Sequence, residues 1–363
     1  MREKLKGIES QVRLSWGNMS SIRVAIIGVG NVASTLAQGI SFYNDGKNGG
    51  LWHNIVGGYR ASDIKIVSAF DIDANKIGMD ASEAIFKGDT RKYVDVNNMD
   101  VKVKSGLLVD ELPAHLKDVI AVKSDTYDNV LKSMKESKPD VVINLISSGI
   151  DNTSKKYAEC ALESNASFIN ATPTQLTKSE LAGKFANAKL LLVGDDLMSQ
   201  FGGTAFHKGM IDFMVQRGVS VKKSYQLDVG GSLETLNTID ENIKAMKRKI
   251  KTSAINTEAP YEFDSVAGTT EYTDFLKDSR MSYYWMYSEG FLNSPAIIDI
   301  TLRSRDGANA GNVLFDVVRA VKHCKENGKL SFNDIICAYG FKNPPKTAKI
   351  RDSYTNFVNT FAV

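Results

Sequence analysis

Short runs of aliphatic and β-branched residues alternate with stretches of helical periodicity through the first half of the chain. This alternation is typical of a parallel sheet with helices on both faces, because the crossover between two parallel strands is usually helical. We predict strands at residues 23–28, 64–71, 140–146, 167–170 and 189–194. We predict helices at residues 31–42, 129–136 and 154–163, and a glycine-rich excursion at residues 44–59.

The pattern changes in the second half of the chain. Three longer strands, each with one solvent-exposed face, are predicted there at residues 222–230, 282–289 and 297–303. The last of these alternates apolar with polar residues, as a half-buried strand requires, and its apolar set is Ile298, Ile300 and Leu302. Helical periodicity returns at residues 309–327 and 346–361.

These patterns predict an α/β protein of two domains. A doubly wound parallel sheet is expected at residues 21–196, completed by the helices of residues 305–363. An α+β domain on an open sheet, residues 197–304, is expected to be inserted between these two parts. The polar stretch at residues 1–20 precedes the first strand and is expected to be a mobile leader.

Composition limits the partners of the chain. A net charge of +3 on 363 residues creates no strong field for nucleic acid, so a small-molecule partner is favoured. No apolar run approaches the ~20 residues needed to cross a bilayer, and no signal peptide is recognisable, so we expect a cytoplasmic protein without a membrane partner. The three cysteines lack metal-site spacing and are expected to be buried reduced thiols: Cys160, Cys324 and Cys337.

A glycine-rich turn follows the first predicted strand and leads into the first predicted helix. Gly28 allows the tight turn, Gly30 lets the backbone approach a pyrophosphate, and Ala33 is the small residue at the helix–strand contact. Asn31 and Val32 complete this candidate cofactor-binding turn. Because strand, turn and helix occur in the required order, the turn predicts a Rossmann domain that binds a dinucleotide.

An acid is expected where the second strand of a Rossmann domain ends, and Asp71 occupies that place. Its carboxylate would bind the ribose hydroxyls and disfavour the extra phosphate of NADP, so NAD is the predicted cofactor. Ser147, after the strand at residues 140–146, is a further candidate cofactor-binding residue.

Polar residues also follow two later strands. Asp195 and Asp196 end the strand at residues 189–194, and Asn170 ends the strand before it. The carboxyl ends of parallel strands face the ligand crevice, so these side chains are candidates for a site, and Asp195 is a candidate cofactor-binding residue. The local sequence alone allows Asp196 to cap a helix and Asn170 to form a turn instead.

Several segments share the order of one known family. They are residues 28–39, AFDID at 69–73, INATP at 169–173, VGDD at 193–196, YQLDVGG at 225–231 and KT at 251–252. Together they resemble the myo-inositol-1-phosphate synthase family in its shorter prokaryotic form. The resemblance runs from about residue 21 to residue 345 without large gaps.

That resemblance implies an NAD-dependent isomerase, an inositol-3-phosphate synthase that converts D-glucose 6-phosphate to 1D-myo-inositol 3-phosphate. In the family, bound NAD takes a hydride from C5, the C6 enolate attacks the C1 aldehyde, and the hydride returns to C5. Each step develops negative charge on an oxygen, so lysines are the expected catalysts. The resemblance also implies inositol and phospholipid biosynthesis, and a homotetramer that forms through the sheet domain, whose aromatics Tyr283, Tyr284 and Trp285 suit an interface or a core.

Catalytic residues of the family match this sequence in part. Lys251 falls on a substrate-binding lysine, and Lys342 falls on the lysine of a later KxPP stretch. Asn170 falls on the asparagine of the family's turn, and Glu271 stands where the family has an aspartate. With Asp196, these residues form the predicted catalytic set, and no metal is expected.

Other positions depart from the family. Met198 stands where the family has a catalytic lysine, and losing such an electrostatic contact costs on the order of a hundredfold in rate. Asp228 and Ser232 stand where close relatives tend to have asparagines, and an extra anion there would repel a phosphate. Lys208 and His207 are either the source of the missing cation or solvated helix charges.

Three functions therefore stay open. They are a synthase with a rearranged lysine set, a related NAD-retaining cyclase or isomerase acting on another sugar phosphate, and a catalytically silent NAD-binding relative. Met198 favours the last two, whereas Lys251 and Lys342 argue against a silent relative. The lysine-rich stretch at residues 232–258 is expected to be mobile and to order over a bound substrate, carrying Lys251 into the site.

Overall fold

The computed structural model describes residues 21–44, 47, 49–88 and 90–362, and the predicted leader at residues 1–20 lies outside them. The strands of the first half are β1 (Ile22–Ile27), β2 (Ile55–Val56), β3 (Tyr59–Arg60), β4 (Ile64–Asp71), β5 (Val103–Ser105), β6 (Val141–Asn144), β7 (Ser167–Asn170) and β8 (Leu192–Val193). The helices of this half are α1 (Asn31–Asn44), α2 (Ala81–Ala84), α3 (Ala114–Lys117), α4 (Tyr127–Ser137), α5 (Asp151–Glu163) and α6 (Glu180–Asn187).

Six of these strands form a parallel sheet in the order β5-β4-β1-β6-β7-β8. Strands β6 and β7 are buried along their whole length because apolar clusters cover both faces of the sheet. The predicted strands and helices of this half are confirmed, but β8 is shorter than residues 189–194. Lys189 adopts a positive φ of 57°, which is incompatible with an extended strand. Strand β5 was not predicted, because its 3 residues are too few to show periodicity.

The second half contains a mixed sheet of four strands in the order β10-β9-β11-β12. These strands are β9 (Ser220–Gly230), β10 (Asp264–Tyr272), β11 (Ser279–Glu289) and β12 (Pro295–Arg305). Strand β10 pairs parallel with β9, whereas β11 is antiparallel to both of its neighbours. The sequence did not predict β10, because a register shift at Gly268 breaks its alternation.

Helices pack against one face of this second sheet. They are α7 (Gly203–Gln216), α8 (Leu233–Leu236) and α9 (Glu241–Asn256). The side chain of Asp240 caps α9, and the apolar residues Ile243, Ile250 and Ile255 recur along its buried face. The expectation of a mobile stretch at residues 232–258 is therefore wrong, since most of this stretch is helical and Lys251 is already buried.

The two faces of the second sheet differ in burial. Tyr284 and Met286 are fully buried against the helices, so Tyr284 belongs to the core. Tyr283 and Trp285 point to the opposite face and are only partly buried. Ile297, on the neighbouring strand β12, is 60% exposed on that face. Among the described residues, helices therefore cover only one face of the second sheet, and the other face carries partly exposed apolar side chains.

The last helices return to the first sheet. They are α10 (Asp306–Glu326), α11 (Asn333–Gly340) and α12 (Ile350–Phe361). Helix α10 packs closely on α1, and a Cβ at Gly311 would lie 2.6 Å from the Oγ1 of Thr35. The three cysteines are free and buried, as predicted. Within residues 21–44, 47, 49–88 and 90–362, no helix is long and apolar enough to cross a membrane.

Candidate active site

Three predicted cofactor residues lie side by side at the carboxyl edge of the first sheet. Gly28 follows β1, Asp71 ends β4, and Ser147 lies in the loop after β6. Strand β1 pairs with both β4 and β6, so the segments that carry the three residues are neighbours. The structure therefore brings these residues together, as the sequence predicted.

The glycine-rich turn has the shape that a dinucleotide requires. Gly28 has a φ of 87°, and a Cβ there would lie 2.9 Å from the carbonyl of Leu145. A Cβ at Gly30 would meet nothing within 4 Å, so the backbone faces open space at this position. The first N–H groups of α1 have no partner within the helix, and a helix N-terminus attracts an anion.

The rest of the turn is held by its neighbours. Ala33 is fully buried at the contact between α1 and the sheet, where a larger side chain would not fit. Val32 packs against the same core and is partly buried. The Oδ1 of Asn31 accepts a 2.9 Å hydrogen bond from the hydroxyl of Thr90.

Asp71 is fixed by backbone groups on both of its oxygens. Its Oδ2 accepts a 2.7 Å hydrogen bond from the N–H of Val29, and its Oδ1 accepts a 2.9 Å bond from the N–H of Asp73. The Nζ of Lys76 lies 3.6 Å from Oδ2, and sequence analysis missed this lysine. A carboxylate oxygen has two lone pairs, so Asp71 keeps acceptor capacity for ribose hydroxyls.

Asn170 and Asp195 belong to a buried network behind the strand ends. The Nδ2 of Asn170 donates to Asp195 and to the carbonyl of Thr174, both at 2.7 Å. The other oxygen of Asp195 accepts from the N–H and the hydroxyl of Thr177. Burial raises the pKa of Asp195 to about 6, although these hydrogen bonds oppose the shift. Both side chains are fully buried, so their direct roles stay predictions.

Asp196 and Lys342 form an ion pair at the end of β8. The Nζ of Lys342 lies 2.5 Å from the Oδ1 of Asp196, and the N–H of Lys342 donates to the carbonyl of Asp196. Met198 lies beside this pair, since its N–H donates to Gly340 at 2.8 Å, and its side chain is buried. The sequence predicted both members of the pair but not their contact.

Lys251 reaches a buried carboxylate from helix α9. Its Nζ lies 2.6 Å from the Oδ2 of Asp228, and its aliphatic arm passes over Gly268, where a Cβ would collide with it. Burial holds the pKa of Lys251 below its ordinary value, Asp228 opposes that shift, and Arg280 and Lys342 add to it. The charge of Lys342 therefore also acts on Lys251.

Arg280 is a partly buried cation that sequence analysis missed. Its Nε lies 2.8 Å from the Oδ2 of Asp306, and its charge also acts on Asp228. Burial alone would raise the pKa of Asp228, but Lys251 and Arg280 hold it well below its ordinary range. The site therefore contains three cations, and each of them faces a carboxylate.

Glu271 lies away from this cluster. It pairs with Val229 in the β10–β9 register, whereas its neighbour Thr270 pairs with Asp228. Successive strand residues point to opposite faces, so Glu271 points away from the side that holds Asp228. Its carboxylate is exposed and lies 3.7 Å from the Nζ of Lys244. The structure does not bring Glu271 together with Lys251.

Lys208 and His207, which were considered as sources of the missing cation, interact with other buried groups. The Nζ of Lys208 lies 3.0 Å from the buried carboxylate of Glu258. His207 is fully buried between Gln226 and Ser224, and burial lowers its pKa to about 4, so it is neutral at pH 7. In the described part of the chain, no group of three His, Cys, Asp or Glu side chains has a metal-binding arrangement.

The sequence of the chain is similar to that of one known protein family. Residues 202–307 match the sequence profile of a family described as Myo-inositol-1-phosphate synthase. The chain is 34% identical to an inositol-3-phosphate synthase of Mycolicibacterium smegmatis, over 90% of this chain and 93% of that protein. It is 33% identical to an inositol-3-phosphate synthase of Mycobacterium tuberculosis, over 90% of this chain and 92% of that protein.

A solved structure has the same fold. A myo-inositol-1-phosphate synthase-related protein from Thermotoga maritima superposes with a TM-score of 0.79 at 22% sequence identity. The match covers 93% of this chain and 98% of that protein, so it includes both sheets.

Proposed function

The chain belongs to the myo-inositol-1-phosphate synthase family, and from this premise we propose how its site works. It is an isomerase that converts D-glucose 6-phosphate to 1D-myo-inositol 3-phosphate. The observation that carries this function is a Rossmann glycine turn in the same chain as two lysines, Lys251 and Lys342, that are each paired with a carboxylate and whose charges act on one another. A redox-neutral ring closure needs a dinucleotide and cations at the same place.

We propose NAD as the cofactor, held by the residues of the glycine turn. The open space at Gly30 accepts a pyrophosphate against the N-terminus of α1, and Asp71 accepts hydrogen bonds from the adenosine ribose. Ser147, in the loop after the neighbouring strand β6, would complete this cofactor site. When bound, NAD supplies the reversible oxidation of the sugar at C5.

The lysines stabilise the oxygens on which negative charge develops. A lysine ammonium has three donors, and Lys251 gives only one of them to Asp228. The remaining N–H groups of Lys251 can donate to a sugar oxygen or to the phosphate. The same holds for the N–H groups of Lys342 that do not bond Asp196. Asn170 and Asp195 support the strand ends beneath the substrate, and Asp196 orients Lys342.

A second function is favoured by the charges of the site. Met198 carries no charge, and Lys251, Arg280 and Lys342 all face carboxylates. A nearly neutral site suits a substrate whose phosphate lies further from the reacting carbons than it does in the usual synthase reaction. The alternative is therefore a related NAD-retaining cyclase or isomerase acting on another sugar phosphate.

The face of the second sheet that no described helix covers supports a homo-oligomer, and we propose a homotetramer. Tyr283 and Trp285 lie on that face, and large apolar patches at a surface usually mark interfaces. We further propose the domain division stated from the sequence, 21–196 with 305–363 and 197–304, because α10 packs on α1 of the first domain. A cytoplasmic location stays a prediction that the free cysteines support.

The proposed reaction is tested with purified protein, NAD and glucose 6-phosphate, followed by phosphorus NMR with parallel absorbance of NADH. We expect inositol phosphate to accumulate without net NADH. Fructose 6-phosphate and other sugar phosphates serve as comparators. If glucose 6-phosphate is inert while another sugar phosphate is cyclised, the alternative function replaces the synthase assignment.

A further inference from the structure

A continuous chain of buried hydrogen bonds leads to Lys251 from behind the site. The distances along it are 2.5 Å from Ser224 Oγ to His207 Nε2, 3.0 Å from His207 Nδ1 to Gln226 Oε1, 2.9 Å from Gln226 Nε2 to Asp228 Oδ1, and 2.6 Å from Asp228 Oδ2 to Lys251 Nζ. The first four of these side chains are at most 4% exposed. None of these contacts was predicted from the sequence.

The charge of Asp228 fixes the direction of every bond in this chain. An ionised carboxylate only accepts hydrogen bonds, so Gln226 turns its amide nitrogen toward Asp228. The amide oxygen of Gln226 then faces His207 and accepts from the Nδ1–H of the neutral imidazole. The Nε2 of His207 is left as an acceptor for the hydroxyl of Ser224. One tautomer of His207 is therefore a consequence of the carboxylate.

We propose that Asp228 is a positioning residue that keeps Lys251 protonated and aimed into the site, and that Gln226 and His207 hold Asp228 in place. The inference rests on the proposed function in assigning catalysis to Lys251. The arm of Lys251 packs over Gly268, and the 2.6 Å bond to Asp228 fixes the Nζ at the end of this flexible four-carbon chain.

The surroundings keep Asp228 ionised despite its complete burial. Its Oδ1 also accepts a 2.6 Å hydrogen bond from Ser282, and a Cβ at Gly203, the first residue of α7, would lie 3.2 Å from it. The partial positive charge of a helix N-terminus stabilises an anion at that distance. The charged groups that act on Lys251 are Asp228 from β9, Arg280 from β11 and Lys342 from the loop before α12.

Replacing Asp228 by Asn tests the proposal, because Asn keeps the shape and removes the charge. Without the anion, Arg280 and Lys342 still disfavour the ammonium, so Lys251 is expected to lose its proton about one to three pH units lower than in the wild type. The titration of Lys251 is followed by NMR of protein with labelled lysines, a measurement that needs no substrate. In the active enzyme, the alkaline limb of kcat/KM is expected to move in the same direction.

Ser282→Ala is the matched control, since it removes another donor from the same carboxylate but leaves the charge. It is expected to lower activity by a few-fold without moving the titration of Lys251. Nitrogen NMR of the wild-type protein is expected to find His207 as the Nδ1–H tautomer, which needs no variant to fold. The Nε2–H tautomer, or an unchanged titration in a folded Asp228→Asn protein, would overturn the proposal. Absence of activity on glucose 6-phosphate would instead overturn the proposed function.

Discussion

Replacement of Lys251 by Met is expected to lower kcat/KM for glucose 6-phosphate by about two to three orders of magnitude. Methionine keeps an unbranched apolar arm and removes the ammonium, so the loss isolates the contribution of the charge to the developing oxyanion. The rate of inositol phosphate formation by NMR measures the effect. Lys249→Met, on an exposed position of the same helix, is the matched control and is expected to retain activity.

The variant also leaves Asp228 buried without its main cation, and a broken buried ion pair costs about 3–5 kcal/mol in the free energy of unfolding. The double variant Lys251→Met with Asp228→Asn removes both charges, so it is expected to regain stability and to stay inactive. A double variant with wild-type activity would contradict the catalytic role of Lys251.

Replacement of Gly30 by Val is expected to weaken NAD binding by at least about tenfold, or ~1.4 kcal/mol, without destabilising the fold. A side chain there meets no protein atom within 4 Å and instead occupies the space assigned to the pyrophosphate. Calorimetric titration of the dinucleotide, with thermal unfolding in parallel, measures both quantities.

Gly183→Ala, an exposed position of α6 where a Cβ also meets nothing within 4 Å, is the control for added bulk. It is expected to leave NAD binding unchanged and to stabilise the protein by about 0.5–1 kcal/mol, since alanine favours a helix. Gly28→Ala is not an equivalent control. An added Cβ there would collide with the backbone of Leu145, in the loop after β6, and φ is positive at this position. Unchanged NAD affinity in Gly30→Val would contradict the assigned cofactor position.

The residues of the glycine turn could be predicted because their structural roles depend only on neighbouring residues in the sequence. Gly28, Gly30 and Ala33 each serve a turn or contact that a strand and the following helix define within a few residues. Asp71 could be predicted because it ends the next strand of that unit. The roles of these residues can be assigned without knowing which distant strands pair with one another.

The groups that surround Lys251 could not be predicted in the same way. Asp228, Arg280 and Gln226 meet through the pairing of β9 with β11, two strands separated by a helix-containing segment of about 50 residues. No local pattern distinguishes an arginine at the start of a strand that acts on a buried carboxylate from one that faces water. The family resemblance indicated Lys251 and Lys342 but not their contacts.

Glu271 illustrates a second limit of sequence reasoning. The side of a sheet on which a strand residue lies depends on register, and the shift at Gly268 reverses it for the residues that follow. Since β10 was not recognised as a strand, its register was unknown. The acid was assigned to the site by its match to the family, and the structure leaves it on the other face.

The ion pairs of the site affect how strongly a sugar phosphate would bind. A phosphate or enolate oxygen bound by Lys251, Arg280 or Lys342 would lie near Asp228, Asp306 or Asp196, each of which already bonds one of these cations. The N–H groups that do not bond these carboxylates can bind such an oxygen, but repulsion from the carboxylates is expected to oppose binding of the sugar phosphate. Met198 supplies no charge at the end of β8 to offset that repulsion.

The proposed ring closure oxidises and reduces the same carbon of the sugar without release of the cofactor. The most direct measurement uses glucose 6-phosphate labelled with deuterium at C5, NAD and purified protein, with mass spectrometry and NMR of the product. We expect inositol phosphate that retains the deuterium at the carbon derived from C5, with no net NADH. Loss of the label to solvent, or reduced cofactor that accumulates in step with the sugar consumed, would contradict it.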